Sequence, residues 1–312
     1  MLVSIVTPTF NEVDNVENVV SSISSVMSGL KCDYEHIIID NCSTDGTVEK
    51  LREIAASNKS IKIILNARNF GQIRSPYHAT LASSGDVCIN LPSDGEVPAS
   101  IIPKLLDKWN EGFKVVHAVK TQQRYSTLTM AKLVYQYILK KFSKIDVIVN
   151  FSGYGLVDSS VVKTFRGLNT VYPFYRGLIG EFLNEYAVVY YQHVDRAKGK
   201  SSNNYWSLFE YAVIGLITYT KLPFQISIFS SIFCFATSAL SMLFSIIGLI
   251  WYGDQPLWGY YVTGLVSFLA SVIFMILAMI SEYMYQIFLN TRNTPLVVES
   301  ERLNFGSAKV RQ

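Results

Sequence analysis

The stretch Val3-Ser4-Ile5-Val6-Thr7-Pro8-Thr9-Phe10-Asn11-Glu12 decides the fold. A short β-branched run that breaks at Pro, Asn and Glu reads as a buried strand with polar residues at its carboxyl end. Four more runs of this kind follow: HIIID (36–40), IKIIL (61–65), VCINL (87–91) and KVVHAV (114–119). Between them, helical periodicity covers roughly 15–28, 47–57, 72–83 and 100–110. Asp14 with Glu17 reads as a capping pair for the first helix, and Gly29 as its stop. This βαβα alternation predicts an α/β fold, a mostly parallel Rossmann-like sheet with helices on both faces. Ligands of such sheets collect at the carboxyl ends of the strands. Farther on, a helix is expected over 125–145, a mixed Gly- and Tyr-rich segment over 150–195, and a strand or hairpin in PLVVESERLNF (295–305).

The excess hydrophobicity of this 312-residue chain, half of it apolar, is concentrated late. Residues 226–250 and 257–281 contain no Asp, Glu, Lys or Arg. A bilayer core takes about 20 apolar helical residues, so both runs are expected to span it. The connector WYGDQP is too short to cross back, which makes them a two-helix transmembrane hairpin. Arg196, Lys198, Lys200 and Lys221 before it, and Arg292, Arg302, Lys309 and Arg311 after it, place both flanks in the cytoplasm. Residues 204–221, aromatic and poor in charge, read as a helix lying in the interface. The expected domains are therefore a cytosolic α/β domain (1–203), the interfacial helix (204–221), the hairpin (222–291) and a cytosolic C-terminal strand or tail (292–312).

Other classes are excluded by what the sequence omits. There is no basic leader segment, so no signal peptide is expected. Cys32, Cys42, Cys88 and Cys234 have no metal or disulfide spacing, and His36, His78, His117 and His193 are widely separated. A net charge of +3 without a basic aromatic stripe argues against nucleic acid and suits a lipid surface. No Gly-x-Gly-x-x-Gly follows the first strand, so a dinucleotide cofactor is not expected.

Carboxylates gather where the strands end: Glu12 after the first, Asp40 and Asp45 around the second, Asp94 and Glu96 after the fourth. A carboxylate there can accept from a ribose diol or a base N–H, and a second group can hold a divalent cation against a diphosphate. Asp45 reads equally as a structural turn or helix-cap residue and as a functional one. Taken together, V-T-P-T-F-N-E, I-I-D-N-C-S-T-D-G-T, N-F-G and G-D-V-C-I-N-L-P-S-D resemble the GT-A family 2 glycosyltransferases, within them the polyprenyl-phosphate group that includes dolichol-phosphate mannose synthase. Arg176-Gly177-Leu178, Arg196-Ala197-Lys198-Gly199-Lys200-Ser201 and Ser281-Glu282-Tyr283 with Pro295-Leu296 extend the resemblance over almost the whole chain.

The resemblance implies an inverting, metal-dependent enzyme that moves one sugar from a UDP-, GDP- or dTDP-sugar to a polyprenyl phosphate. It would work at the cytosolic face of the plasma (inner) membrane, in a homo-oligomer, a tetramer among the options. Pro8, Glu12 and Asp40 would line the nucleoside pocket, with Lys120 and Arg124 near the sugar or the acceptor phosphate, while Arg74 reads equally as a donor-phosphate contact or a surface cation. Asp94 would ligate Mg²⁺ or Mn²⁺, Arg196 would contact phosphate, and Lys198, Lys200 and Ser201 would face the acceptor. The sequence departs from the family where Pro92 replaces the first metal-loop Asp and Ser202 a lysine. Asp94-Gly95-Glu96 is expected to restore the lost charge, and Asp158 is the candidate for an acceptor-side acid. Two other readings compete: a non-catalytic membrane scaffold of the same fold, favoured by Pro92, and a processive polysaccharide synthase, disfavoured because no Trp follows Gln192 and Arg196.

Overall fold

The opening run forms β1 (Leu2–Thr9), and each later run forms its strand: β2 (Asp33–Asp40), β3 (Ile61–Asn66), β4 (Val87–Asn90) and β5 (Val115–Lys120). The computed structural model describes residues 1–121, 127–142, 151–168, 173, 175–182, 185–192, 258–291 and 295–306, with isolated positions between 209 and 251. Helices α1 (Val16–Ser28), α2 (Thr47–Ser57), α3 (Gly71–Ala82) and α4 (Ile102–Asn110) fall between the strands as expected. The chain continues through α5 (Thr127–Phe142), β6 (Phe151–Asp158), α6 (Ser159–Arg166), α7 (Tyr175–Phe182) and β7 (Ala187–Tyr191). Helix α8 (Trp258–Thr291) and strand β8 (Glu299–Leu303) complete the described elements.

The eight strands form one sheet in the order β7-β5-β6-β4-β1-β2-β3-β8. All run the same way except β6, antiparallel to β4 and β5, and β8, antiparallel to β3. Both faces of a mostly parallel sheet are covered, so its central strands are largely apolar and buried on both sides. Val3, Ile5 and Ile89 pack against Ile23 and Met27 of α1 and Leu105 of α4 on one face. Val6, Ile37, Ile39 and Ile64 pack against Tyr77 of α3 and Phe165 of α6 on the other. The period of two along each strand sends neighbours to opposite faces.

Two local expectations change. Asn15, not Asp14, precedes α1, and it makes no side-chain cap. Its Nδ2 donates instead to Glu12 Oε2 at 2.6 Å, which holds the loop before the helix. Gly29 does follow α1, but at φ −80, so its left-handed freedom is not used. The Gly- and Tyr-rich segment supplies a strand, β6. Gly155 sits there at φ +149, and a Cβ on it would meet the Val116 carbonyl oxygen at 2.2 Å, so only glycine lets β6 lie against β5.

At the amino end of the sheet, Glu35 is 3% exposed and accepts from Ser4 Oγ, Ser84 N and Ser84 Oγ, and pairs with Lys62 Nζ. Burial acts to raise the pKa of this carboxyl, but the Lys62 ammonium and the serine donors outweigh burial and hold it below the ordinary value. At the outer edge, Asn304 Nδ2 donates to the carbonyls of Ala55 (2.7 Å), Asn58 (3.3 Å) and Ile61 (2.8 Å) and so locks β8 beside β3.

Contacts divide the chain into two compact units, residues 1–137 with 145–204 and 293–312, and residues 138–144 with 205–292. The sheet belongs to the first. In the second, α8 is 34 residues long and exposes Val266, Ile273, Leu277, Ile280 and Met284. Among the residues whose side chains are described, no helix is long and apolar enough to cross a membrane. The first expected span, 226–250, and the 204–221 helix lie mostly outside the described residues.

Candidate active site

The carboxyl ends of β1, β2 and β4 converge because these strands are parallel neighbours in register, Thr9 beside Asp40 and Val6 beside Asn90. Pro8 is tolerated inside β1 for a directional reason. The Thr9 carbonyl accepts from Asn41 on the β2 side and the Val6 carbonyl from Leu91 on the β4 side, so even-numbered residues face β4. The N–H that Pro8 lacks would point past the last paired residue of β4, where no ladder bond is lost.

The loops after β1 and β2 are stapled to each other. Asn11, at φ +54, donates its N–H to Ser43 Oγ (2.8 Å), and its Oδ1 accepts from Thr44 N (2.8 Å). Asp45 accepts from Val13 N (3.2 Å) and from Thr47 N and Oγ1 (3.1 and 2.5 Å), while Thr47 Oγ1 accepts from Glu12 N (3.0 Å). The alternatives for Asp45 thus resolve toward a loop anchor. Burial tends to raise its pKa, but these hydrogen bonds lower it overall.

Asp40 is fully buried, and its two oxygens accept from Ser43 Oγ (2.5 Å) and Ser43 N (2.8 Å). Burial pushes its pKa above the ordinary value despite those bonds. It ends β2 beneath the 41–45 turn, whose Ser43 covers both of its oxygens. Glu12 is half-buried at the rim. Beyond β4, Asp94 Oδ1 accepts from Glu96 N at 3.0 Å around Gly95 at φ +72, so the two carboxylates share one tight turn. Lys120 ends β5 opposite Tyr191.

Other expected site residues separate from this group. Asp158 lies apart from the strand-end carboxylates. Because β6 runs antiparallel, Asp158 pairs with Val87 at the amino end of β4, at the end of the sheet opposite Asp40 and Asp94. Its carboxylate caps α6 through Ser160 N (2.8 Å) and accepts from Trp109 Nε1 (2.8 Å). Arg74 lies in the first turn of α3, where Nη2 donates to the Pro295 carbonyl (2.7 Å) and the guanidinium stacks on Phe70 at 5.3 Å. These contacts tie α3 to the C-terminal segment and to the turn before the helix. Arg124, Arg196, Lys198, Lys200 and Ser201 lie outside the described residues.

Among the described residues, no three His, Cys, Asp or Glu side chains converge on a metal position. His36 and His117 are buried in the sheet, and burial draws them down to about 3 and about 4, so they stay neutral core residues. His78 pairs with Glu299 at 2.6 Å. Asp94 and Glu96 are a two-carboxylate set, which suits a hard cation that takes its other oxygens from substrate phosphates and water.

Side-chain amides at the strand ends escaped the sequence reading. Asn41 Oδ1 accepts from Asn66 Nδ2 (3.1 Å) and Phe70 N (2.9 Å), and its Nδ2 donates to Asn69 Oδ1 (2.8 Å). The available signal was an asparagine just beyond each of three strand termini or at it, positions where Asx side chains organise turns.

Residues 4–165 match the family described as Glycosyl transferase family 2. The chain is 28% identical over 302 residues to an uncharacterized glycosyltransferase of Synechocystis, covering 96% of this chain and 94% of that one. It is 26% identical over 300 residues to the bactoprenol glucosyl transferase of Shigella phage SfX, covering 95% and 97%. Among solved structures it resembles glucosyl-3-phosphoglycerate synthase of Mycobacterium tuberculosis, crystallised with Mn²⁺, UDP and glucosyl-3-phosphoglycerate. The TM-score is 0.52 at 19% identity, over 69% of this chain and 78% of that one, a likeness of fold.

Proposed function

The chain belongs to glycosyl transferase family 2, and from that membership we propose that it is a membrane-bound enzyme transferring one sugar from a nucleotide-sugar donor to a polyprenyl phosphate. The observation that carries this is the meeting of the carboxyl ends of β1, β2 and β4, where the bonds Asn11 makes with Ser43 and Thr44 staple the loops that follow β1 and β2, next to Glu12 and Asp40, and the Asp94–Glu96 turn follows the neighbouring strand. Full-length similarity to a bactoprenol glucosyl transferase supports the lipid acceptor.

Pro8, Glu12 and Asp40 line the nucleoside end of the cleft, with the buried Asp40 carboxylate able to accept a base N–H once the 41–45 turn yields. Asp94 and Glu96 would hold Mg²⁺ or Mn²⁺, which supplies charge neutralisation to the donor diphosphate. Lys120, Arg124 and Arg196 serve the donor and acceptor phosphates, and Lys198, Lys200 and Ser201 the acceptor headgroup. An acceptor phosphate oxygen forms the new bond to the anomeric carbon as the nucleoside diphosphate departs with the old bond's electrons. That phosphate is already ionised near neutral pH, so no strong general base is required, in keeping with Asp158 capping a helix elsewhere.

The domain division at 1–203, 204–221, 222–291 and 292–312, the two-helix hairpin, the inner-membrane cytosolic orientation and a homo-oligomeric state complete the reading. The length of α8 and its exposed apolar side chains support the hairpin. The test is to incubate the membrane-embedded protein with polyprenyl phosphate and UDP-, GDP- or dTDP-sugars and weigh the extracted lipids. One glycolipid heavier by a single sugar is expected, and its loss in Asp94→Asn. A wild-type preparation that yields no glycosylated lipid with any donor refutes the reading.

A further inference from the structure

The amide of Asn41 joins three separate pieces of the first unit. It follows directly on Asp40, its Oδ1 accepts from Asn66 at the end of β3, and it also accepts from the backbone of Phe70 just before α3. Its Nδ2 donates to Asn69 Oδ1, which in turn accepts from Gly71 N at 2.8 Å, with Gly71 at φ +82. Asn66 Nδ2 continues to Ser75 Oγ at 3.0 Å. Asn41 and Asn66 are 7% and 4% exposed, so water cannot replace these bonds at little cost. The turn they hold displays Phe70 between two guanidinium groups, Arg68 at 4.7 Å and Arg74 at 5.3 Å from the ring centroid.

We propose that Asn41 is a positioning residue for the nucleotide donor: it fixes the 66–71 turn as the wall of the cleft beside Asp40. The proposal rests on the donor reading given above. Only an amide meets the demand, because one atom must accept twice while its neighbour donates. The substitution Asn41→Asp would set a carboxylate against the Asn69 carbonyl oxygen, which Gly71 N already requires as an acceptor, and Asn41→Ala would release all three bonds. In either variant the wall shifts while the Asp94–Glu96 turn, on the far side of β1, keeps its place. Ground-state donor binding should therefore weaken without a matching loss in the transfer step.

The experiment titrates the full-length protein with UDP, GDP and dTDP in the presence of Mn²⁺ by calorimetry, and measures donor KM and kcat separately where turnover is observed. Asn41→Asp and Asn41→Ala are each expected to weaken binding of the preferred nucleotide at least tenfold, with kcat within about twofold. Asn304→Ala is the control, since Asn304 makes three bonds of comparable quality at the opposite end of β3. It should lower Tm and leave nucleotide affinity alone. Unchanged affinity in both Asn41 variants overturns the proposal, as does weakening matched by Asn304→Ala at equal loss of Tm. A wild-type chain that binds none of the three nucleotides overturns it too. Nucleotide binding without sugar transfer to lipid would refute the enzyme reading alone and leave this comparison decisive.

Discussion

Replacing Glu35 by Ala tests what holds the sheet together below the cleft. The carboxylate accepts from Ser4, Ser84 and Lys62, three parts of the chain, and is almost wholly buried. Deleting one partner of such a pair costs about 3–5 kcal/mol, because the other is left uncompensated. The Lys62 side chain is 22% exposed and can turn toward water, which puts the loss at the low end, about 3 kcal/mol. Unfolding entropy of about 2.1 cal/mol/K per residue, over a unit of roughly 200 residues, converts this to a Tm lower by about 7 °C. Thermal melts of the purified protein followed by near-UV circular dichroism measure it. Since the folded-state pKa of Glu35 lies below the ordinary 4.5, the stability it supplies is complete above that pH and disappears as pH falls through the folded value. The melts of variant and wild type should accordingly converge in acid. Glu35 lies five residues before Asp40, about 16 Å along the strand, so nucleotide affinity should not change. A variant that melts within about 2 °C of wild type at pH 7, well short of the expected shift, would show the cluster to be energetically idle.

Three further outcomes are expected. Gly155→Ala should destabilise by more than about 3 kcal/mol, because its Cβ must enter the space of the Val116 carbonyl, and the urea midpoint should report it. Glu96→Gln should weaken Mn²⁺-linked nucleotide binding by tenfold or more while binding without metal is kept; equal losses with and without Mn²⁺ would remove Glu96 from the metal set. The His36 imidazole, drawn by burial to about 3, refuses a proton that the unfolded chain takes up below about 6.5. It should account for about 2 kcal/mol of stability lost between pH 7 and pH 5, and His36→Asn should flatten that decline in urea titrations at the two pH values.

Strands β1–β4 were legible because each β-branched run ends at or beside Pro, Asn or Asp and leads to a helix, with the apolar stripe clear in α1, α2 and α4. Strand β6 was hidden. Gly153, Tyr154 and Gly155 look like loop by composition, and only contacts with β4 and β5, far away in sequence, make them strand. The same omission hid where Asp158 lies: a strand not known to run backward offers no hint that its carboxyl end lies opposite those of β1, β2 and β4. Arg74 shows a related limit, since the Pro295 carbonyl it meets is 221 residues distant. Asp40 and Glu12 were readable from strand ends alone. The Asn41 bonds were not, because an asparagine after a strand announces a turn without naming its partners.

Strand β8 has a consequence for biosynthesis. It covers the outer edge of β3 from a point 235 residues later in the chain, as the Ser300–Leu65 bond records. At about 5–20 residues per second, ribosomes need roughly 10–50 s to span that interval. Throughout it, β3 presents unpaired backbone groups, an open template for another nascent chain. Arrival of the last strand then ends the exposure, so maturation of the sheet is timed by synthesis of the segment between them.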